Sequence, residues 1–372
     1  MMRLLFVLII FVSFLFAEPD YGVENTNITL YKDKEDIYYN YDRFRFRADM
    51  QERDFFATFI GDVVNFYGDD YLSSDEYFAI RESEADTPFN TQTTFKGYDG
   101  GEIYAKVYRA YLGYEDERNK LVAGLYNIHM GVGRIWTPTN IYNPKNPYAL
   151  ESAEVFGVAT LAYTRYIDDT SHISTFLSQD KNDKYKYGFR YKGFVDFGDV
   201  SLNIVLMDKI KTIGYEIEAN LFESGIELRS EAIYIKGEFN GDDEEFFQLL
   251  LGGDYGFENG LTLAIETLYS SKKFTYETIV SNLDSPFSQN FVFSDFYIGG
   301  TISYVINLFL DTSLLYIESF NENNSAFISP SINYTIDDYN SVTLGALLYD
   351  GSDTSEFGMF QNRYYLKYIF SF

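Results

Sequence analysis

The chain has no cysteine, seven prolines, one tryptophan and two histidines in 372 residues. Without cysteine there is no disulfide framework, no thiolate nucleophile and no thiolate metal site. Basic residues are scarce as well: 29 Lys and Arg stand against 56 Asp and Glu, a net charge of -27. That balance excludes nucleic acid as a partner, because binding phosphates needs a basic face. No metal-ligand spacing or Gly-rich phosphate loop occurs, so no metal and no cofactor is expected. Long apolar runs are missing too, except at the very start, MMRLLFVLIIFVSFLFAEPD. Arg3, the apolar stretch from Leu4 to Phe16, and Ala17 before Glu18-Pro19-Asp20 have the layout of a cleaved secretory signal peptide over 1–17. The run is short for a membrane-spanning helix, the alternative being an N-terminal anchor.

Aromatics are abundant, with 35 Tyr and 35 Phe, and alternation with a period of two recurs along the whole chain. In RFRFRADM, Arg43, Arg45 and Arg47 alternate with Phe44, Phe46 and Ala48. In KYKYGFRYK, Lys184, Lys186, Arg190 and Lys192 alternate with aromatics, and in GYEIEANL, Glu216 and Glu218 alternate with Tyr215 and Ile217. A soluble secreted β protein alternates as well, with its apolar face turned inward. Here the apolar faces carry Tyr and Phe at strand ends while the opposite faces carry charge. That arrangement predicts an all-β chain, a transmembrane antiparallel β-barrel over 18–372.

Counting alternating segments from 26–33 to 360–372 gives 18 strands, or 16 if 199–209 and 212–222 form a hairpin beyond the membrane. Bacterial barrels begin and end on the periplasmic side, with short turns there and longer loops outside. Eighteen strands put the long connections 68–101, 131–156 and 271–290 outside. Two particular strands are expected at 121–130 and 245–256, and the acidic stretch Gly241-Asp242-Asp243-Glu244-Glu245 is read as an external loop. Its acids are solvated or bind divalent cations beside lipopolysaccharide.

The segment 121–166 stands apart. It holds three of the prolines, the only Trp, and Gly124, Gly131 and Gly133. It reads as a strand, Gly-rich turns, a Pro-punctuated loop and a return strand from Gly157. Aromatics Trp136, Tyr142 and Tyr148 would fold the loop against the inner wall, narrowing a wide barrel. The stretch resembles outer-membrane porin-like proteins of Gram-negative bacteria, in which a strand ending in Gly-Arg-Gln runs through Trp-Gly-x-Gly to Asn-Pro-Thr-Asp and a later Asn-Pro. The match lies at Gly124, Gly131, Gly133, Pro138, Thr139, Asn143 and Pro144, after the strand YRAYLGY (108–114). The chain departs at Leu125-Tyr126, Met130, Thr137 and Asn140. The terminal strand YYLKYIFSF, ending on Phe372, resembles the same proteins.

The resemblance implies an outer-membrane location, contact with outer-membrane lipids and lipopolysaccharide, and recognition of Phe372 by the barrel-assembly machinery. It also implies passage of small hydrophilic solutes and leaves monomer or homotrimer open. Within such a lumen Arg43, Arg45, Arg47, Arg109, Lys184, Lys186 and Arg190 form basic stripes. Glu216, Glu218, Glu227 and Glu231 form an acidic one. Opposed walls of this kind either set up a transverse field that filters solutes or pair across strands. Arg134, Trp136, Asn140, Tyr142 and Asn143 are the constriction-loop candidates. The alternative is a non-channel barrel, either structural, adhesive or a lipid hydrolase. His172 and Ser174 in TSHISTF share a strand face, a spacing that resembles the His-x-Ser pair of outer-membrane phospholipases, but the usual Asn-Gly does not follow. His129 near the loop has no carboxylate neighbour in sequence. No enzyme is expected.

Overall fold

The computed structural model describes residues 19–74, 77, 85–143, 145, 151, 154–239, 241–280, 285–321 and 323–372. The signal-peptide segment 1–17 lies outside them, as do parts of the three long connections and Tyr148. Nineteen strands form one sheet. The chain runs through β1 (Asp20–Lys32), β2 (Ile37–Glu52), β3 (Phe55–Tyr67), β4 (Gln92–Tyr98), β5 (Gly101–Glu115) and β6 (Asn119–Tyr126). It continues through β7 (Val158–Tyr166), β8 (His172–Gln179), β9 (Tyr185–Val195), β10 (Gly198–Leu206), β11 (Ile210–Asn220), β12 (Ile226–Phe239) and β13 (Asp242–Gly256). Then follow β14 (Leu261–Ser270), β15 (Phe296–Asn307), β16 (Leu310–Phe320), β17 (Ser325–Thr335), β18 (Asn340–Asp350) and β19 (Arg363–Ser371). The described helices are short, α1 (Asp69–Leu72) and α2 (Tyr276–Val280). Neither is long and apolar enough to cross a membrane.

Eighteen strands close the wall. Each pairs antiparallel with its sequence neighbour, β3 pairs with β5, and β1 pairs with β19 from Glu24↔Ser371 to Lys32↔Arg363. The last residue completes the seam: Phe372 N–H donates to Val23 O and Phe372 O accepts from Val23 N–H, both at 2.8 Å. Closure leaves the eighteen wall strands among the described residues without a free outer edge. The start of β1 and the end of β19 lie at one end of the barrel, the terminus end, which carries the tight turns. Long connections emerge at the other, the loop end. The acidic stretch at 241–245 is not a loop. Asp242 to Glu245 open β13 opposite Phe239 to Lys236, and Glu244 pairs with Lys272 while Glu245 pairs with Lys236 at 2.8 Å.

The nineteenth strand has a local cause. β6 leaves the wall after Tyr126, so β5 above Ala110 loses its neighbour on that side. β4, from within the 68–101 connection, fills the gap by pairing Gln92 to Tyr98 with Lys106 to Gly101. The residues expected to continue β6, 127–130, turn into the barrel.

Alternation sorts the wall as the sequence suggests. Phe44, Phe46, Tyr187, Ile265 and Leu366 are exposed on the outward face, while Arg43, Arg190, Glu216, Glu231 and Glu266 are buried on the inward one. An apolar exterior with a polar interior is what a hydrocarbon surround selects. Two departures matter. Inside the loop end, Tyr39, Phe66, Tyr71, Tyr77 and Tyr104 form a buried cluster in which Tyr39 and Tyr71 stack at 3.6 Å. On the outward face, Asn25, Asn27, Asn40 and Asp42 form a hydrogen-bonded patch on β1 and β2, with Asn25 Nδ2 donating to Asp42 at 2.9 Å.

Candidate constriction site in the lumen

Glu216 on β11 and Glu231 on β12 stand directly opposite each other and face inward, with Glu266 on β14 two strands further round. All three are at most 1% exposed. Buried carboxylates facing one another repel unless donors surround them. The donors come from the loop after β6. Gly131 N–H donates to Glu216 at 2.8 Å. Val132 and Gly133 N–H donate to one oxygen of Glu231, at 2.8 and 3.3 Å. Thr139 gives the other oxygen its N–H at 2.6 Å and its hydroxyl at 2.7 Å. Glu266 takes Arg134 N–H at 2.5 Å, Ile135 N–H at 2.8 Å and Trp136 N–H at 3.4 Å. Arg190 and Asn203 complete Glu216, each at 2.6 Å. The acidic stripe is therefore a dock for the loop backbone. It is not a bare wall.

Shape reinforces charge, because wall glycines leave sockets. A Cβ on Gly299 would stand 2.6 Å from Ile135 Cδ1 and 2.8 Å from Trp136 Cη2. One on Gly214 would stand 2.9 Å from Thr139 Cγ2, and one on Gly188 would collide with the Tyr142 hydroxyl. Trp136 packs on Tyr297 at 5.9 Å and Tyr142 on Phe176 at 5.8 Å. Asn140 and Asn143 hold the loop's own turn: Asn140 Nδ2 donates to Asn143 O at 2.8 Å, and Asn143 Oδ1 accepts from Ile128 N–H at 2.7 Å. The 271–295 connection covers it, with Gln289 and Asn290 donating to the carbonyls of Thr137, Pro138 and Asn140.

The returning limb crosses to the far side. Arg43 on β2 bonds Glu151 at 3.0 Å and Glu24 at 3.0 Å. Arg45 grips Asp62 of β3 with two bonds, at 2.7 and 2.9 Å, and Glu154 with two more, at 2.9 and 2.8 Å. Burial alone would raise the Glu154 carboxyl. The hydrogen bonds from Arg45 and the charges of Arg43 and Arg45 outweigh it, holding the group down to about 2. A β-bulge between Ile60 and Gly61 adds a residue to β5 and turns Tyr108 inward beside Arg109. The Tyr108 ring lies between the Arg45 and Arg109 guanidinium groups, 4.1 Å from each. Arg109 donates to Val155 O at 2.7 Å. The described residues of the loop thus bind both the β11–β14 wall, through 131–139, and the β2–β5 wall, through Glu151, Glu154 and Val155.

The sequence-derived candidates fall into three groups. Arg43, Arg45, Arg109, Arg190, Glu216, Glu231, Trp136, Tyr142, Asn140 and Asn143 meet at the loop and its docks. Arg134 leaves that centre and faces Glu227 and Asp254 at 3.1 and 3.3 Å, where Arg229 also binds both acids; Glu218 is half-buried near them. Others stand apart. Lys184 precedes β9 and pairs at the exposed rim with Asp208, 2.9 Å away, because its residue belongs to the Asp180–Lys184 turn and not to the wall. Arg47 is exposed beside Asp49 at the terminus end, and Lys186 pairs with Asp86 at 2.8 Å. To the two expectations for the opposed walls, a transverse field and cross-strand pairing, the structure adds a third element: residues of the loop bind both walls. Glu266, Asp62, Lys106, Tyr108 and Glu154 were missed. Glu266 was open to discovery as an inward position of AIETLYS, and the strand glycines as sockets. The bulge has no sequence signature.

No protein-family model matches the chain, and no curated protein matches it in sequence. Solved structures do match in fold. OpdK of Pseudomonas aeruginosa, solved with vanillate, aligns over 95% of this chain and 98% of its own, with a TM-score of 0.62 at 9% identity. OccAB1 of Acinetobacter baumannii aligns over 96% of each chain, with a TM-score of 0.65 at 9% identity. OccK5 (OpdH) of P. aeruginosa aligns over 95% and 97%, with a TM-score of 0.62 at 9% identity. The chain therefore shares the closed 18-strand antiparallel barrel fold of these Occ proteins.

Proposed function

We propose that the protein is an outer-membrane channel of a Gram-negative envelope through which small hydrophilic solutes or ions diffuse passively. The observation that carries this reading is the loop held inside the lumen by paired charge docks. A barrel serving only as scaffold or adhesin has no need to build a fixed constriction from buried carboxylates. Residues 131–143 form the narrowing, and Arg43, Arg45, Arg109, Glu227 and Asp254 set the field beside it. The fold neighbour solved with vanillate supports small organic solutes as the cargo.

The outward aromatics fit contact with outer-membrane lipids and lipopolysaccharide. Phe372, whose side chain is 77% exposed, is the residue offered to the assembly machinery. The outward Asn25, Asn27, Asn40 and Asp42 patch supports self-association into a homotrimer, since polar groups facing hydrocarbon are costly until another chain covers them. A hydrolase is not supported. Ser174 shares a 2.7 Å hydrogen bond with Thr164, and among the described residues no carboxylate bonds His172.

Planar-bilayer recording tests the channel. Discrete ohmic steps are expected, with ion selectivity altered by Arg45→Ala and by Glu218→Ala. An electrically silent, correctly folded barrel would overturn the reading.

A further inference from the structure

Between the constriction loop and the terminus end, the wall of β6 to β9 borders a half-open cavity of about 250 Å³. The start of the loop, Asn127 to His129, forms its upper border, where Arg190 donates to the His129 carbonyl at 2.8 Å. Both histidines of the chain line it, together with Lys120, Arg190 and Lys192, and among the described residues no carboxylate does. Cross-strand register explains the assembly. Lys120 stands opposite Thr164, Thr164 opposite Ser174, and Ser174 opposite Arg190, one inward row across four strands. His172 stands opposite Lys192, and His129 comes down from the loop above.

Each cation has a counter-ion placed outside the lining. Lys120 pairs with Glu115 at 2.8 Å, Lys192 with Asp199 at 3.0 Å and Arg190 with Glu216 at 2.6 Å. Arg190 also donates to the His129 carbonyl at 2.8 Å and to Ser201 Oγ at 3.3 Å; an ammonium has three donors and a guanidinium five, so each cation keeps donors for the cavity. The hydroxyls of Thr164 and Ser174 bond each other at 2.7 Å, which leaves one hydroxyl proton for the cavity.

The surroundings of the two imidazoles are nearly all cationic. His129 is held below its ordinary value by burial, then by Lys145 of its own loop and Arg190 and Lys192 of β9, with only Glu216 of β11 opposing. His172 faces Arg190 and Lys192, and on its other side the Tyr166 ring at 6.0 Å, whose hydroxyl donates to Glu115. A proton on either imidazole therefore meets like charge unless an anion joins it. Donors line the cavity from four strands and a loop, more directions than the two coplanar oxygens of a carboxylate can serve. Four tetrahedral oxygens can serve them.

We propose that this cavity binds a tetrahedral dianion, sulfate or a phosphate monoester, and that the two imidazoles take up protons from solvent as it enters. The site is a station on the proposed path through the lumen and rests on that reading only for how the anion arrives. Binding is therefore measured without conduction, by titrating sulfate into the full chain in detergent micelles. Sulfate keeps its charge near neutral pH, so any proton uptake belongs to the protein. Calorimetry in buffers of different ionisation heat reads that uptake directly.

Saturable binding with proton uptake is expected, the affinity falling by up to about tenfold per pH unit for each proton gained as pH rises through the histidine range. Methyl phosphate should displace sulfate and acetate should not. His129→Gln with His172→Gln should abolish the uptake and flatten the pH dependence. Lys192→Gln should weaken binding about tenfold, the loss of one charge-assisted contact. Absence of saturable binding to folded protein, heats independent of buffer, acetate binding as tightly as sulfate, or uptake persisting in the double histidine variant would each overturn the proposal. Sulfate binding to a barrel that is silent in bilayers would sink the channel and keep the site.

Discussion

Glu231→Gln removes one charge from the dock while keeping its shape. Glu231 accepts four hydrogen bonds from the loop, through Val132, Gly133 and both donors of Thr139. The amide of glutamine offers one oxygen. Its best placement keeps that oxygen on Val132 and Gly133 and turns its NH2 toward the Thr139 hydroxyl, which strands the Thr139 N–H. A stranded buried N–H costs about 1–3 kcal/mol, and two bonds falling from charged to neutral acceptor cost about 0.5–1.5 kcal/mol each. Relief of repulsion from Glu216 returns up to about 1 kcal/mol. A net cost of about 3 kcal/mol raises the undocked fraction of 131–139 by roughly two orders of magnitude.

Trp136 is the only tryptophan and is 6% exposed between the affected segments, so its fluorescence reports the loop alone. The variant should show red-shifted emission, easier acrylamide quenching and noisier, larger single-channel currents. Emission, quenching and current identical to wild type in a folded barrel would refute the reasoning.

Gly299→Ala places a methyl within 2.6 Å of Ile135 Cδ1. Overpacking of this kind costs about 1–3 kcal/mol, and here it should expel Trp136 from its socket and red-shift its emission without lowering barrel melting. Arg45→Ala strips Asp62, a fully buried carboxylate, of its two-bond partner and leaves Lys106 at 3.8 Å. Breaking such a pair costs about 3–5 kcal/mol; a lowered melting temperature and a reversal potential shifted toward cations are the expected readouts. The 351–362 connection should respond to pH between the ordinary carboxyl range and neutrality. Glu356 accepts hydrogen bonds from Ser319 at 2.6 Å and Tyr297 at 2.9 Å. Burial, only partly offset by these bonds, pushes its carboxyl up to about 7. Its raised value means the folded state holds the proton more tightly, so the connection loses stability as pH climbs from the ordinary carboxyl range through about 7. Hydrogen exchange of 351–362, corrected for intrinsic rates, should speed up across that window, and Glu356→Gln should flatten the response.

Most of the wall was legible because lipid and water on its two faces impose a period of two on the sequence. Strand parity favours eighteen over seventeen, sixteen stays open in the sequence, and β10 and β11 both join the wall to make eighteen. Where the period fails, reading failed with it. The first half of β1 carries Asn25 and Asn27 outward, so the sequence showed a strand only from residue 26. β4 is exposed along nearly its whole length and has no alternation to detect. β6 was read to 130 because Ile128 and Met130 continue its apolar rhythm, yet they are buried against the inner wall as part of the loop. At the site, charge type was legible but partnership was not. Glu216 and Glu231 look like a free acidic stripe until the loop's backbone N–H groups, which every residue but proline carries, are placed on them. The sockets at Gly188, Gly214 and Gly299 appear in sequence only as glycines in strands, where a close approach is one of several causes.

The central claim is that the loop after β6 lies across the lumen, held on the inner wall of β11 to β14. The chain has no cysteine, so a single engineered pair gives an unambiguous report. Thr139→Cys with Gly214→Cys places the two residues where Thr139 Cγ2 stands 2.9 Å from the Gly214 Cβ position, within reach of a disulfide. The account predicts that mild oxidation links them in the folded barrel, fixes Trp136 in its protected state and leaves bilayer currents steady. Two free thiols that stay accessible and unlinked in a folded, conducting barrel would contradict it.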